Sequence, residues 1–184
     1  MRNSLKTIST TAGLGILMAV SLSGCLCFNP PETVAYVDVP QYMGKWYEIA
    51  KYPVFFERGL VGVTAEYTLQ DDGSVRVVNK GFEGSFDGEE SVAEGRATVA
   101  DTTTNAKLTV QFGPFPLGIF GPNYWIIDLG QQYEYAVVSD KCRRTLWILS
   151  RTPKMDSAVY DAIVARLGEA GFDTGKLEPM PQPE

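Results

Sequence analysis

The feature that most constrains this fold is a succession of eight short segments rich in Val, Ile, Thr, Tyr and Phe. Gly, Asp, Asn and Pro separate the segments, and Asp71-Asp72-Gly73 has the composition of a hairpin turn. This alternation predicts antiparallel strands. We place them at residues 45–52, 61–70, 74–82, 89–100, 106–113, 123–129, 133–140 and 144–151.

One helix is predicted from Ser157 to Ala170, where apolar residues recur at helical spacing and glycines follow. Eight strands joined by short turns, then one helix, predict an all-β protein. The favoured architecture is an eight-stranded antiparallel up-and-down β-barrel with one C-terminal α-helix packed outside. A Greek-key sandwich is the alternative, since spacing alone does not exclude it. The interior of such a barrel is either filled or just able to hold one small ligand.

The composition excludes several classes of function. The 184 residues include 16 basic and 22 acidic side chains, for a net charge of −6, and no histidine. Without histidine the usual general base, the Ser-His and Cys-His pairs and histidine metal sites are lost. An acidic chain without basic runs also argues against binding nucleic acid. We therefore expect no cofactor, no metal and no nucleic acid.

The first 24 residues have the features of an export signal. Arg2 and Lys6 precede an uncharged, mostly apolar stretch at 12–22, which is too short to span a bilayer comfortably. Leu22-Ser23-Gly24-Cys25 follows and resembles the lipobox of bacterial lipoproteins. The resemblance implies cleavage before Cys25 and attachment of fatty-acyl, palmitate-type chains to it. An ordinary secretory signal that happens to contain a cysteine is the alternative.

Leu26 follows Cys25 instead of the aspartate that retains many such lipoproteins at the inner membrane. The resemblance thus implies a lipid anchor in the outer membrane of a Gram-negative bacterium, on its periplasmic face. We divide the chain into a lipoprotein signal peptide (1–24), a lipidated tether (25–40), a barrel domain (41–178) and a flexible tail (179–184) rich in proline.

Three segments resemble the conserved sequence blocks of the lipocalin family in order and spacing. They are Gly44-Lys45-Trp46, Tyr135-Ala136-Val137-Val138-Ser139-Asp140 and Trp147-Ile148-Leu149-Ser150-Arg151-Thr152-Pro153, supported by Phe56-Glu57-Arg58-Gly59 and Asn79-Lys80-Gly81. The chain is similar, over about residues 29–178, to the bacterial outer-membrane lipoprotein branch of the family, which also resembles apolipoprotein D.

Counting strands alternately up and down places the start of the first and the end of the eighth at one end of the barrel. Trp46 and Arg151 are therefore expected to meet there, with the guanidinium on the indole, a contact worth about 0.5–2 kcal/mol. In lipocalins this pair closes the barrel. We predict that Gly44, Trp46 and Arg151 form a structural clasp and no catalytic site.

An inward Arg151 gives Trp147 and Leu149 the same inward parity. The inward residues of the other strands follow from resemblance to the family's ligand-lining positions: Ala65, Tyr67, Val77, Asn79, Val110, Phe112, Tyr124, Ile126, Ala136 and Val138. No Lys or Arg is expected to face inward above Arg151. These residues either line a cavity or fill a core, and small residues at 65, 93, 97 and 136 favour the cavity.

The loops near 53–60 and 113–122 are predicted at the other, open end of the barrel. Both are apolar, with Phe55 and Phe56 in the first and Phe115 and Phe120 in the second. Such residues form either a binding rim at the mouth or a lid whose side chains pack on each other.

Two cysteines remain if Cys25 carries lipid. The periplasm is oxidising, so two leftover thiols usually pair there. Cys27-Phe28-Asn29-Pro30-Pro31 also resembles the lead-in of apolipoprotein D, whose cysteine bridges to the region that matches Cys142. We predict a Cys27–Cys142 disulfide, which would place the mouth beside the membrane.

The resemblance implies a protein that binds, stores or transports a fatty acid or lysophospholipid in its barrel, for envelope maintenance or stress, as a monomer or weak homodimer. One alternative is a scaffold or interaction lipoprotein without ligand. Another, less favoured, is an isomerase-type lipocalin enzyme, for which Glu48, Glu57, Asp140 and Cys142 are the candidate groups. Each of these has a simpler role at the surface or in a turn, so we predict no enzyme.

Overall fold

A computed structural model describes residue 27 and residues 29–113 and 121–183. Eight antiparallel strands pair in sequence order, and the last also pairs with the first, so that the sheet closes into a barrel. The predicted up-and-down barrel is confirmed, and the predicted strands agree with the observed ones to within two residues. The strands are β1 (Gly44–Lys51), β2 (Leu60–Leu69), β3 (Val75–Glu83), β4 (Glu90–Val99), β5 (Lys107–Phe112), β6 (Tyr124–Leu129), β7 (Tyr135–Ser139), β8 (Leu146–Ser150) and a short β9 (Glu178–Pro179).

Among the described residues, two α-helices accompany the barrel, α1 (Val39–Tyr42) and α2 (Ser157–Glu169). The carboxylate of Asp156 caps α2 by accepting the N–H groups of Ala158 and Val159. The helix ends before Gly171, whose φ of +84° suits the left-handed conformation of a helix C-terminus. No helix in the described part of the chain is long and apolar enough to cross a membrane.

Two hydrophobic cores lie on opposite sides of the barrel wall. The inner core fills the closed end of the barrel around Trp46, Val77 and Val138. The outer core packs Ile163 and Leu167 of α2 against Val137 and Ile148. The helix therefore covers the outside of the wall, as predicted, and leaves the interior to the strands.

The segment before the barrel is packed against it. The Val34 N–H donates to the carbonyl of Ile126 and the Val37 N–H to that of Thr104, and Val37 is only 1% exposed. These residues, with α1, cover the closed end of the barrel. The tether predicted for residues 25–40 therefore becomes part of the folded domain well before residue 41, because its apolar side chains complete the inner core.

The C-terminal segment completes the barrel wall. β1 and β2 pair only at their closed-end halves, from Gly44 to Tyr47 on β1. Beyond Tyr47 the chain from 178 to 182 lies between them: the Met180 N–H donates to Ile49, and the Gly62 N–H donates to Pro181. Residues 179–182, which the sequence assigns to a flexible tail, thus make backbone hydrogen bonds to the barrel, and Pro181, which has no N–H, takes part through its carbonyl.

Candidate functional site

The closed end of the barrel is held by Arg151. Its guanidinium carbon lies 3.7 Å from the ring centroid of Trp46, so the predicted pair does meet. The same guanidinium donates to the carbonyls of Gln41, Tyr42, Lys45 and Tyr133 at 2.9–3.2 Å. Arg151 thus ties β1, α1 and the turn before β7 to the end of β8.

Gly44 makes room for this guanidinium. Its φ is +91°, and a Cβ there would lie 3.4 Å from Nη1 of Arg151. A larger residue would therefore be strained in its backbone and crowd the arginine. The three residues of the predicted clasp therefore lie together: the Arg151 guanidinium stacks on the Trp46 ring, and Gly44 leaves the space that the guanidinium occupies.

Three tyrosines form the floor above the clasp. The Tyr124 hydroxyl is hydrogen-bonded to those of Tyr42 (2.8 Å) and Tyr67 (3.0 Å), and the rings of Tyr42 and Tyr67 stack at 5.8 Å. Burial raises the pKa of Tyr67 to about 12 and also raises the pKa of Tyr42 and Tyr124. Two of the residues predicted to line a ligand cavity, Tyr67 and Tyr124, therefore form the floor of the barrel.

Most of the predicted lining residues belong to the inner core. The fully or almost fully buried members are Tyr67, Val77, Val110, Ile126, Ala136, Val138 and Leu149, and the partly buried ones are Ala65, Phe112, Tyr124 and Trp147. All of these face the barrel axis. The lower half of the interior is therefore filled by side chains, as the packed alternative supposed.

The upper half of the interior is more open. Ala93 has the same strand parity as Ala97 of the inner core, yet it is exposed. It lies opposite Asn79 on β3, whose buried Oδ1 has no hydrogen-bond partner among the described residues. Phe112 lies over Gly95, where a Cβ would come within 2.7 Å of the ring. An inward-facing alanine with free surface indicates space in the barrel above the tyrosine floor.

A β-bulge in β1 brings an unpredicted lysine into this region. The register with β8 shifts between Glu48, which pairs with Leu149, and Ala50, which pairs with Ile148 of the outer core. Lys51 consequently pairs with Trp147, on the inner face. Its side chain is 7% exposed, and its Nζ lies 3.6 Å from a carboxylate oxygen of Glu178. The expectation that no Lys or Arg faces inward above Arg151 is therefore wrong.

Two carboxyl groups accompany this lysine. Glu48 is 3% exposed and Glu57 is 8% exposed, so both carboxyl groups are buried. Burial raises the pKa of both, and the charge of Lys51 opposes this shift. A simple surface or turn role, as expected for these two residues, is therefore wrong. The three-residue 3-10 helix over Phe55–Glu57 turns Glu57 inward while its phenylalanines face out.

The mouth residues that the structure describes are solvent-exposed. Phe55 is 84% exposed and packs edge-to-face against Phe56 at 5.3 Å between centroids. Beside them a pocket of about 330 Å³ is lined by Lys51, Val54, Phe55, Glu57 and Arg58 on one side and by 178–181 on the other. Phe115 and Phe120 lie outside the described residues.

Cys27 and Cys142 form a disulfide with their Cα atoms 5.0 Å apart. Cys142 lies in the turn between β7 and β8. This turn is at the same end of the barrel as the loop that carries Phe55, because Tyr52, just after β1, donates its N–H to the carbonyl of Leu146, the first residue of β8. The bridge therefore joins the start of the described chain to the open end. Cys25 itself lies outside the described residues. In the described part no group of His, Cys, Asp or Glu is arranged to hold a metal ion.

The sequence model of the lipocalin-like domain family matches residues 37–182. The chain belongs to the lipocalin family. This lipocalin is 41% identical over 167 residues to the outer membrane lipoprotein Blc of Vibrio cholerae, covering 88% of this chain and 93% of that protein. It is 40% identical over 163 residues to Blc of Escherichia coli K12, covering 86% and 89%. Mouse apolipoprotein D is 35% identical over 159 residues, covering 82% of this chain and 79% of the relative.

Solved structures with low sequence identity share the fold of this lipocalin. Insecticyanin of Manduca sexta aligns with a TM-score of 0.66 at 21% identity, over 84% of this chain and 85% of its own. Lobster apocrustacyanin A1 aligns with a TM-score of 0.61 at 18% identity, over 84% and 91%. The family match begins before residue 41 and ends after residue 178, in agreement with the packed segments at both ends. The Blc relatives are lipoproteins, which supports the prediction that this lipocalin is no enzyme.

Proposed function

We propose that this lipocalin is anchored to the outer membrane and binds one small apolar ligand, a fatty acid or lysophospholipid, in the upper half of its barrel. The proposal rests on the shape of the barrel interior, which is closed at one end and open at the other. It is closed below by the tyrosine floor and the clasp, while Ala93, Asn79 and Trp147 retain free surface above.

The affinity of such a site comes mainly from removing apolar surface from water, at about 25 cal/mol per Å². Phe112 and Trp147 are large side chains of the predicted lining that are only partly buried in the inner core. An acyl chain that enters between them reaches the tyrosine floor, whose hydroxyl groups already satisfy one another. The site therefore favours a chain-like apolar group over a polar one.

The anchor is the lipid on Cys25, two residues before Cys27. Relatives named outer membrane lipoproteins support this location. The disulfide to Cys142 then holds the open end of the barrel close to the periplasmic face of the membrane, where a lipid enters past Phe55 and Phe56. If a Cys27→Ser/Cys142→Ser protein exchanged membrane lipid as quickly as the parent, the bridge would have no orienting role.

A second candidate is a lipoprotein that acts as a scaffold without ligand. The packed lower interior, where Ile126, Ala136 and Val138 are wholly buried, favours it. In this case the protein, as a monomer or weak homodimer, maintains the envelope through surface contacts, and the space at Ala93 holds only water.

Native mass spectrometry separates the two. The Cys25→Ser chain is recovered from the periplasm, its intact mass is measured, and its lipids are extracted into organic solvent. We expect one fatty acid or lysophospholipid per barrel. An apo mass, combined with failure to take up added lipid, would contradict the proposal and support the scaffold.

A further inference from the structure

Two neighbouring turns at the open end of the barrel present only basic residues among their exposed charges. The turn between β7 and β8 exposes Lys141 and Arg144, and the turn between β1 and β2 exposes Arg58. The acidic residues of these turns are shielded, since Glu57 is buried and the side chain of Asp140 is only 15% exposed, against 69% for Arg144, with which it pairs. A chain with a net charge of −6 therefore has a local positive surface here.

The turn on the opposite side of the open end is acidic. The turn between β3 and β4 exposes Glu83, Asp87 and Glu89. In the closed order of eight strands, this turn lies halfway around the barrel from the turn between β7 and β8. The open end is therefore polarised, and a negatively charged surface attracts one side of it and repels the other.

The basic side of the open end also carries exposed aromatic rings. Phe55 and Phe56 pack edge-to-face and form one apolar patch in the same turn as Arg58. An exposed apolar patch indicates a contact surface, and apolar rings beside cations suit the boundary of a bilayer, which is anionic outside and apolar inside.

The disulfide limits the distance between the basic turn and the membrane anchor. The Cα atoms of Cys27 and Cys142 are 5.0 Å apart, and the two residues from Cys27 back to Cys25 span at most about 7 Å of chain. The Cα of Cys25 thus lies within about 12 Å of that of Cys142. This distance is comparable with the Debye length of about 8 Å at physiological ionic strength, so the surface charge of a membrane that holds Cys25 acts on Lys141 and Arg144.

We propose that Arg58, Lys141 and Arg144 form, together with Phe55 and Phe56, a docking surface for the anionic phospholipids of the membrane that holds the anchor. This inference rests on the proposed anchoring at Cys25. The lipid phosphates accept hydrogen bonds from the three cations, and the two rings enter the boundary of the acyl chains. The disulfide limits the distance from the membrane, and the charges determine the tilt, with the acidic turn directed away.

The test measures how well the membrane protects Lys141. The acylated chain is diluted from detergent onto preformed vesicles of phosphatidylcholine, with or without about 30% phosphatidylglycerol. The neutral reagent N-succinimidyl acetate then acetylates the lysines, and peptide mass spectrometry gives the rate at each one. We expect acetylation of Lys141 to be at least about threefold slower on the anionic vesicles. This protection should vanish in 1 M salt, where the Debye length is about 3 Å.

Lys80 is the internal control. It is exposed on β3, at the same end of the barrel but on the acidic side, where its Nζ lies 3.4 Å from a carboxylate oxygen of Glu90. Its acetylation rate should differ by less than about 1.5-fold between the two kinds of vesicle, because the proposed tilt directs this side away from the anionic surface. An equal fall at Lys80 and Lys141 would contradict that tilt.

A double variant removes two of the three cations. Each cation at an anionic membrane surface contributes about fivefold to partitioning, so Arg58→Gln/Arg144→Gln should lose most of the protection of Lys141. Arg76→Gln/Arg96→Gln is the matched control, because both of these arginines are exposed on neighbouring strands and pair with Glu94 and Asp72. It removes the same charge from the half of the barrel remote from the mouth and should keep the protection.

Flotation of the vesicles separates failure of the docking surface from failure of the anchor. If the chain floats with both kinds of vesicle while Lys141 reacts equally on each, the docking surface is overturned and the anchor remains. Protection that disappears when the protein is diluted within the bilayer would assign the surface to a second copy of the chain and would also overturn it. A chain that floats with neither vesicle would overturn the anchoring and the docking together.

Discussion

Lys51 lies opposite Trp147 on the inner face of the barrel, one residue after Ala50 points outward to Ile148. The bulge between Glu48 and Ala50 produces this arrangement, because it inserts one extra residue into β1. Even-numbered residues such as Glu48 face the interior before the bulge, and the odd-numbered Lys51 faces it afterwards. The bulge places an ammonium group and an indole at the mouth, where a ligand's polar end would lie.

The clasp is expected to dominate the stability of the closed end. Arg151→Ala removes donors from four backbone carbonyls and the cation–π contact with Trp46, and should lower the free energy of unfolding by about 3 kcal/mol. Urea titration measures this. Arg76→Ala, which breaks an exposed pair with Glu94, is the control and should cost under about 1 kcal/mol. Equal losses in the two variants would contradict the role of the clasp.

Trp147→Ala should weaken ligand binding. Loss of about 55 Å² of apolar contact, at about 25 cal/mol per Å², corresponds to about tenfold in affinity for N-phenyl-1-naphthylamine. Fluorescence titration provides the measurement. Tyr36→Ala removes an aromatic side chain that is 59% exposed and should leave the affinity within twofold. An unchanged affinity in a folded Trp147→Ala protein would count against the lining assignment.

The buried carboxyl pair should make stability fall as pH rises. Folding raises the pKa of Glu48, through burial and the charge of Glu57, so the folded state holds its proton more tightly than the unfolded chain. This contribution is fully present below the unfolded pKa, about 4.3, and is lost as pH rises through the raised pKa of the folded state.

Glu48→Gln removes this pH dependence. The variant should therefore gain stability relative to the parent as pH rises from about 4 to 8, by at most about 1.4 kcal/mol per pH unit. Urea titrations across this range measure the difference, in which the other carboxyl groups cancel. Glu66→Gln, which removes the same charge from an exposed position on β2, should show a flat difference, and a flat difference for Glu48→Gln would mean that folding leaves its pKa unshifted.

The disulfide closes a loop between cysteines 115 residues apart. Cross-links of this length limit the freedom of the unfolded chain, and reduction should lower the free energy of unfolding by about 2–4 kcal/mol. Denaturation with and without a phosphine reductant tests this. The Cys27→Ser/Cys142→Ser protein should be insensitive to the reductant, and coincident midpoints for the parent under both conditions would show that the bridge adds no stability.

Hydrophobic alternation and turn residues are sufficient to predict the strands and α2, whereas the choice of a barrel over a Greek-key sandwich also needs the resemblance to lipocalins. Strand counting also predicted the meeting of Trp46 and Arg151, because that contact depends only on direction and closure. The bulge after Glu48 escaped prediction, since any residue can occupy it and one extra residue reverses the parity of Lys51. The C-terminal segment escaped because its prolines indicate the end of regular structure, while the Pro181 carbonyl still accepts a hydrogen bond from Gly62 of the barrel.

The insertion of residues 178–182 between β1 and β2 also determines at what stage of folding the barrel can close. Gln182 donates from one amide nitrogen to the carbonyls of Glu48 and Val63, so the two earliest strands are joined by a side chain synthesised more than a hundred residues later. β2, β3 and β4 can pair as they emerge, because their contacts are local. The gap between β1 and β2 can be filled only after nearly the whole domain has been synthesised. The docking of residues 178–182 is therefore expected to be the slow step of folding.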